Sequence, residues 1–204
     1  MSVRDTSLDL PILEGAKEEF LKSGFEKASL KEIAKNAGVT TGAIYKRYNG
    51  KEELFCVVVE SCINRMQAVF EQKKGVDYTL YSDEQLKQCF EMNPNSMMWW
   101  YDVLHEYRDE FVLLLTGSAG TKYENFDHDW VELMTEETYR CYAEMFSRKI
   151  TAVVISRKEF HIMLTAFWTT IYEPFIHGLA RDEIERYNKL VCRLFRWEDV
   201  FEFS

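Results

Sequence analysis

Ser29–Tyr48 reads SLKEIAKNAGVTTGAIYKRY, and the fold turns on how that stretch is read. Leu30, Ile33, Ala34 and Ala37 recur at helical spacing, which gives a short helix one apolar face. Ser29, followed three residues on by Glu32, has the form of a capping box, so this helix is expected to begin at Leu30. Gly38 can adopt the left-handed backbone that ends a helix and turns the chain sharply. Val39 then fills the angle between two helices, and Thr40 caps the second. Ile44 and Tyr48 lie four apart and point together into a core. Thr41, Gly42, Ala43, Tyr45, Lys46 and Arg47 are left to face outward or to lie along the rim. The pattern is a helix-turn-helix over residues 29–48. A helix whose outer face is small, hydroxyl-bearing and basic suits the DNA major groove.

Charge gathers on the same stretch. From Lys27 to Lys51 six basic side chains stand against Glu32 alone, in a chain whose formal net charge is −9. A basic island of this kind neutralises phosphates although the overall field repels them. Residues 1–55 hold nine basic and nine acidic side chains, so the whole deficit lies beyond them. An acidic body behind a basic head discourages nonspecific wrapping of DNA and excludes the carboxy-terminal part as a nucleic-acid surface.

The remainder of the chain is suited to helices. Three prolines and nine glycines in 204 residues leave long uninterrupted runs. Strand-like alternation is nearly absent, as are repeats and low-complexity tracts, so the fold should be all-α. A hydrophobic content of 47% suffices for a sizeable core. The five cysteines are scattered, odd in number and without CxxC spacing. They read as buried small hydrophobes in a reducing cytoplasm, not as a disulfide frame or zinc site. Met1–Leu10 lacks the apolar run of a signal peptide, and no window approaches the ~18 apolar residues of a membrane span. A cytoplasmic chain without a membrane partner is expected.

Ile12, Leu13, Ala16, Phe20 and Leu21 form a first amphipathic helix, opened by Pro11 and stopped by Gly24. With Phe25, Leu30, Ile33, Ile44 and Tyr48 it closes a small three-helix core. Asn49 caps a fourth helix, expected from Lys51 to about Lys74 and roughly 36 Å long.

The ordered set ILEGAKEEFLKSGF, SLKEIAKNAGVTTGAIYKRY and KEELF, between Ile12 and Phe55, resembles the DNA-binding domain of the TetR family (TetR/AcrR type) of one-component bacterial regulators. The resemblance covers about the first quarter of the chain. It implies an N-terminal three-helix helix-turn-helix DNA-binding domain, placed here at residues 6–66, with the fourth helix linking. It also implies a C-terminal helical-bundle regulatory domain, residues 67–204, that dimerises and binds a ligand. Carried over by position, the resemblance implies DNA contacts from Thr41, Gly42, Tyr45 and Lys46 on the recognition helix. Lys31 would add one from the supporting helix, and Lys51 would hold a phosphate at the start of the fourth. Thr40, Ala43 and Arg47 belong to the same candidate face. Arg47 stands where the family has histidine, and Tyr48 where it has phenylalanine. Lys31, Arg47 and Lys51 suit phosphates, whereas Thr41 and Lys46 suit base edges and Gly42 permits close backbone approach. Tyr45 is either a phosphate hydroxyl donor or a core tyrosine.

Beyond Tyr78 the sequence turns acidic and aromatic. Trp99, Trp100, Tyr107, Phe111, Trp130, Phe167, Trp168 and Tyr172 are candidates to line a cavity between helices, with plain core packing as the alternative. Aromatic and acidic groups together suit a small-molecule effector that is hydrophobic or cationic. Gly117, Gly120 and Asn125 suggest a helix stop, a loop and a new cap before Phe126. Asp127, His128 and Asp129 carry metal-ligating groups, but three adjacent residues cannot converge from one helix face, so no metal site is assigned. Phe160, Leu164, Ile171 and Phe175 form an apolar stripe on a helix that Pro174 should bend or end. Ile184, Tyr187, Val191, Leu194 and Phe195 continue it. Two such helices per subunit can pair with their symmetry mates as a four-helix bundle in a homodimer.

These readings converge on a dimeric regulator that binds double-stranded, near-palindromic operator DNA, a repressor released by a small molecule. The alternative is a DNA-binding regulator with no inducer, controlled by a protein partner or by oxidation of Cys56 or Cys62. Neither a supported Ser/His/Asp or Cys/His set nor a GxxxxGK[ST] or GxGxxG loop occurs, so no enzyme is expected and no cofactor is implied.

Overall fold

The computed structural model describes residues 7–72 and 74–203. The expected domain start at residue 6 and part of the leader reading over Met1–Leu10 fall outside the described residues. The fold is all-α. Among the described residues the helices are α1 (Asp9–Lys27), α2 (Leu30–Asn36), α3 (Thr41–Tyr45), α4 (Lys51–Glu71), α5 (Asp83–Gln88) and α6 (Pro94–Glu106), then α7 (Arg108–Thr116), α8 (Phe126–Ser147), α9 (Arg157–Ile176), α10 (Arg181–Leu194) and α11 (Trp197–Phe201). The chain divides into two compact units, the first running to Gln67 and taking in Tyr107–Asp127, the second made of Ala68–Glu106 and the chain from His128 onward.

In the first unit, α1 packs its buried Ile12, Ala16 and Phe20 against Ile33 and Ile44 of the hairpin. Gly15 sits where α1 meets the end of α2. A Cβ there would lie 3.0 Å from the Ala37 backbone nitrogen and 3.2 Å from the Ile33 carbonyl oxygen. Ser29 caps α2 through its side chain, which accepts from the Lys31 amide. The second half of the expected capping box is replaced. Glu32 pairs with Lys35 at 3.1 Å, and the Ser29 amide donates to the buried carboxylate of Glu19 on α1. A long-range carboxylate thus takes the place of the local one, tying α2 to α1 at its first residue. Gly38, at φ +65°, makes the turn between α2 and α3 in the left-handed region that favours glycine. Gly24, at φ +68°, breaks the helical path inside α1 and turns Phe25 onto Phe20 and Phe55. α4 ends at Glu71, short of the Lys74 read from the sequence.

The return of the chain through α7 adds to this unit. The Phe25 amide donates to the Gly117 carbonyl at 2.8 Å, Lys17 pairs with Glu110 at 3.1 Å, and the Lys122 amide donates to Glu52. Ser118 and Thr121 are buried there with their hydroxyls donating to backbone carbonyls, which keeps the 117–125 loop a fixed part of the head.

The second unit packs α6, α8, α9 and α10 around aromatic side chains. Phe201 of α11, a helix the sequence reading did not anticipate, lies 4.7 Å from Phe90 and stacks on Tyr142 at 5.7 Å, closing one end. Asn188, buried on α10, donates to the Pro94 carbonyl at 2.7 Å and fixes α10 against the start of α6. Pro174 lies within the last turn of α9, which ends at Ile176. Ahead of α5 lies a 3₁₀ turn (Tyr78–Leu80), capped by Asp77, whose side chain accepts from the Thr79 amide. Arg148, the residue that follows α8, seats it, donating to the carbonyls of Tyr78 and Thr79 and to that of Tyr81 just beyond.

The Gly15 contact makes a checkable demand. Gly15→Val should lower the free energy of unfolding by about 3 kcal/mol through forced separation of α1 and α2. Gly15→Ala should cost less, because about 1 kcal/mol of helix propensity is regained. Urea unfolding of both variants tests the order.

Candidate nucleic-acid interface and internal cavity

The head displays a small set of side chains. Thr41, Gly42, Tyr45 and Lys46 are all exposed on or just after α3, and Lys31 is exposed at the start of α2. Tyr45, at 63% exposure, is no core tyrosine. Thr40 spends its hydroxyl as the α3 cap, accepting from the Ala43 amide at 3.2 Å, and Ala43 is half-buried. The arrangement offers hydroxyls, an ammonium and a backbone without bulk over a single helical turn, groups that reach phosphates and base edges in a groove.

Two cations read from the sequence as phosphate contacts hold the head together as well. The Arg47 Nε donates to Asp9 at 2.7 Å and a guanidinium NH2 group donates to the Ala43 carbonyl, joining the end of α3 to the first turn of α1. The Lys51 Nζ donates to the carbonyls of Glu26 and Ala28, each at 3.0 Å, and lies 4.5 Å from the Phe25 ring centroid. It therefore satisfies carbonyls at the carboxy-terminal end of α1, where a cation is favoured. Sequence spacing cannot show such pairings, since Asp9 and Arg47 are 38 positions apart.

The second unit encloses a cavity of about 370 Å³. Of the candidate pocket residues, Trp100, Trp130, Phe167 and Trp168 line it. Trp99 does not: it is exposed, edge-on to Trp100 at 5.2 Å. Tyr172 packs on Trp168 outside the lining, and Tyr107 and Phe111 belong to the first unit. Phe70, Tyr78, Tyr81, Cys89, Met134 and Cys141 complete much of the wall and were not foreseen. Their sequence neighbourhoods carry no shared motif. Among the described residues no lysine, arginine or histidine lines the cavity, while Glu91 and Glu137 do. Glu137 is paired with Arg140 at 2.8 Å. The indole nitrogen of Trp130 is buried and meets no hydrogen-bond acceptor among the described residues.

Asp127, His128 and Asp129 are all exposed, and among the described residues no group of three or more candidate ligands could hold a metal ion. Burial pushes the Cys62 thiol up to about 12, with Glu110 adding to it. Burial likewise raises Cys56. Both are thereby kept in the protonated form, which reacts poorly with oxidants. Among the described residues no helix is long and apolar enough to cross a membrane.

Residues 12–57, the span of α1, the hairpin and the start of α4, match the family described as bacterial regulatory proteins, tetR family. That segment is a TetR-family DNA-binding domain. The regulator SrpR of Pseudomonas putida is 36% identical over 66 residues, which cover 32% of this chain and 31% of SrpR. The chain therefore spans less than a third of that relative's length. A broader likeness is to the regulator SAS2464 of Staphylococcus aureus (strain MSSA476), 23% identical over 190 residues, covering 86% of this chain and 93% of that one. Among solved structures, NalD of Pseudomonas aeruginosa, the secondary repressor of the MexAB-OprM multidrug efflux pump, aligns with a TM-score of 0.61 at 19% identity. That alignment covers 94% of this chain and 97% of NalD, so the TetR fold extends through both units. These relatives are regulators and none is an enzyme.

The different placements of Lys46 and Lys51 separate their effects. Lys51→Ala should cost about 1–2 kcal/mol of stability by orphaning two carbonyls and uncovering Phe25. Lys46→Ala, at an exposed position, should leave stability within about 0.5 kcal/mol while weakening DNA binding and narrowing the gap between specific and random sequence. Thermal unfolding beside binding titrations on both kinds of DNA checks the pair; equal destabilisation by both substitutions would overturn the assignment.

Proposed function

We propose that the chain is a homodimeric transcriptional repressor acting in the cytoplasm, which binds a near-palindromic operator and releases it when a lipophilic, neutral or cationic molecule fills the cavity. The observation that carries the DNA-binding half is the exposure of Thr41, Gly42, Tyr45 and Lys46 on one short helix whose neighbours are locked to α1. Thr41 and Lys46 read base edges, Gly42 lets the backbone close on the groove, and Tyr45 and Lys31 hold phosphates. Arg47 and Lys51 keep the reading face in register and add positive potential near it. The residues near 6–66 form the reading domain and those beyond 67 the regulatory and dimerising one, with Tyr107–Asp127 serving as a brace within the head.

Dimerisation needs an apolar face that the protomer leaves uncovered. Phe160, Leu164, Ile171, Phe175, Ile184 and Val191 are buried within their own unit, while Tyr187 and Phe195 are half-buried. Leu194 is 72% exposed, and Leu190 and Ile162 are comparably open. Tyr187, Leu190 and Leu194 share one face of α10 at helical spacing, and that face, with Ile162 of α9, is the surface for a second copy. Two heads carried in this way engage half-sites about 34 Å apart or a multiple of it.

The cavity supports the choice of effector. Its aromatic wall, two carboxylates and lack of lining cations favour an apolar molecule that is uncharged or cationic and disfavour an anion. The unmatched Trp130 N–H adds a requirement for an acceptor atom, since a buried donor without one costs about 1–3 kcal/mol. Phe70, in the last turn of α4, is part of the wall, and Lys51 at the other end of α4 is tied to the head. Occupancy shifts DNA affinity through α4 only as far as the ligand prefers the releasing pose, about 1–3 kcal/mol of coupling. Control by thiol chemistry is a second reading, favoured by a cysteine pair in the cavity wall.

Rhodamine 6G, a lipophilic cation, should quench tryptophan fluorescence and release the chain from its own promoter fragment, with dodecanoate at least about tenfold weaker. Trp130→Phe should weaken binding of acceptor-bearing ligands without loss of fold. Leu190→Glu with Leu194→Glu should give a monomer by analytical ultracentrifugation that no longer retains the fragment. Equal binding of cation and anion would remove the effector class, and a dimer in the double variant would remove the proposed face.

A further inference from the structure

We propose that Cys89 and Cys141 are a peroxide-responsive dithiol, which closes to a disulfide in the wall of the cavity. The two residues are far apart in sequence and sit on different elements, Cys89 just beyond α5 and Cys141 in the middle of α8. Both line the same cavity. The Cys89 Sγ donates to the Gln85 carbonyl at 3.4 Å, and the Cys141 Sγ lies 3.9 Å from the next carbonyl on the same turn, that of Leu86. Successive carbonyls of one helical turn therefore bring the two sulfurs to the same place, and Cys89 is the neighbour that most raises the pKa of the Cys141 thiol. The Tyr78 hydroxyl completes the cluster, its pKa raised by burial first and then by both sulfurs.

The two thiols differ in a way that suits a two-step oxidation. Cys89 is exposed, so a dissolved oxidant reaches it, whereas Cys141 is 1% exposed and lines the cavity. The neighbouring Cys89, and then burial, hold Cys141 protonated, so it is the resolving partner and not the first to react. In the first step the Cys89 thiolate attacks the O–O bond of a hydroperoxide. That bond breaks, Cys89 becomes a sulfenic acid, and the other oxygen leaves as an alcohol, or as water from hydrogen peroxide. In the second step the Cys141 sulfur attacks the sulfenic sulfur. The S–O bond breaks, the S–S bond forms, and hydroxide departs as water with the Cys141 proton. Two thiols lose two electrons between them, and the peroxide takes both.

The bond would join the end of α5 to α8 across the wall that also contains Tyr78 and Tyr81, and so narrow the cavity. Cys62 and Cys56, buried and half-buried, both lie on α4 in the first unit and outside the cavity wall.

The test uses the reduced, full-length protein treated with hydrogen peroxide, then alkylated and digested with trypsin without reductant. Cleavage after Lys87 and Arg140 puts Cys89 on the peptide Gln88–Arg108 and Cys141 on Cys141–Arg148, each with a single cysteine. The expected product is these two peptides joined and lighter by two hydrogen atoms, within one polypeptide and separable by dithiothreitol. Cys89→Ser, at an exposed position, should abolish the link, and Cys62→Ser should leave it intact. In Cys141→Ser, dimedone should trap Cys89 as its sulfenic acid. Progressive oxidation of Cys89 to the sulfinic acid with Cys141 still alkylatable in the wild-type protein, or a link formed between separate chains, would overturn the proposal. None of these readouts depends on whether rhodamine 6G binds.

Discussion

Everything the head can do depends on how closely α1 and α2 approach at Gly15. The missing side chain lets the Ala37 amide and Ile33 carbonyl come to a distance at which any Cβ would press on backbone. Backbone cannot swing aside as a side-chain tip can, so this contact fixes the angle of the hairpin on α1. Glu19 sets the same angle a turn away, through its hydrogen bond to the Ser29 amide. With α2 fixed and Gly38 turning the chain, α3 has one place to lie. Ile44 and Tyr48 go inward, and Thr41, Tyr45 and Lys46 go outward as a consequence.

That geometry also explains why the basic residues of one short stretch are not equivalent. A lysine or arginine is kept exposed unless a carbonyl or carboxylate is close enough to offset its desolvation. Arg47 has Asp9, and Lys51 has the carbonyl groups at the end of α1, so both turn back onto the protein. Among the described residues Lys31 and Lys46 meet no such group and remain at the surface. The counted positive charge of the region is real, but only part of it is free of structural duty. The field reaching a DNA groove therefore comes from cations held in fixed positions as well as from flexible ones.

Which features were legible beforehand follows from the range over which they are encoded. The helix-turn-helix was readable because its apolar spacing, glycine turn and Thr40 cap all lie within twenty residues of one another. The all-α fold was readable from the scarcity of proline and of strand-like alternation. Glu19, Asp9 and the 117–125 brace were not, since each acts on a partner tens of residues away and no local pattern marks it. The cavity shows both outcomes at once. Trp100, Trp130, Phe167 and Trp168 stood out because they are large, but a wall also needs the residues opposite, and Phe70, Tyr78 and Cys141 arrive from separate segments. The stripe on α9 and α10 was seen as apolar, yet periodicity alone cannot tell an intramolecular face from one turned toward a second copy. Exposure separates Leu190 and Leu194 from Ile184 and Val191.

The wall that closes the cavity is the least self-sufficient part of the second unit. The 3₁₀ turn Tyr78–Leu80 is too short to satisfy its own backbone, and Arg148 donates to two of its carbonyls and to that of Tyr81 beyond it while pairing with Glu144 and Asp83. Arg140 does the same for Val76 at 2.9 Å. A wall held by side chains from a neighbouring helix is already ordered before anything enters, so little conformational entropy is left to lose on binding. It is also a wall whose position can be reset from outside the void. Cys89 and Cys141 sit in that wall together with Phe70 of the last turn of α4. On the function proposed above, a ligand filling the space would push the wall outward, and joining the thiols would draw it inward. Because both act on the same few side chains, the two inputs are coupled by volume alone and need no separate route through the protein.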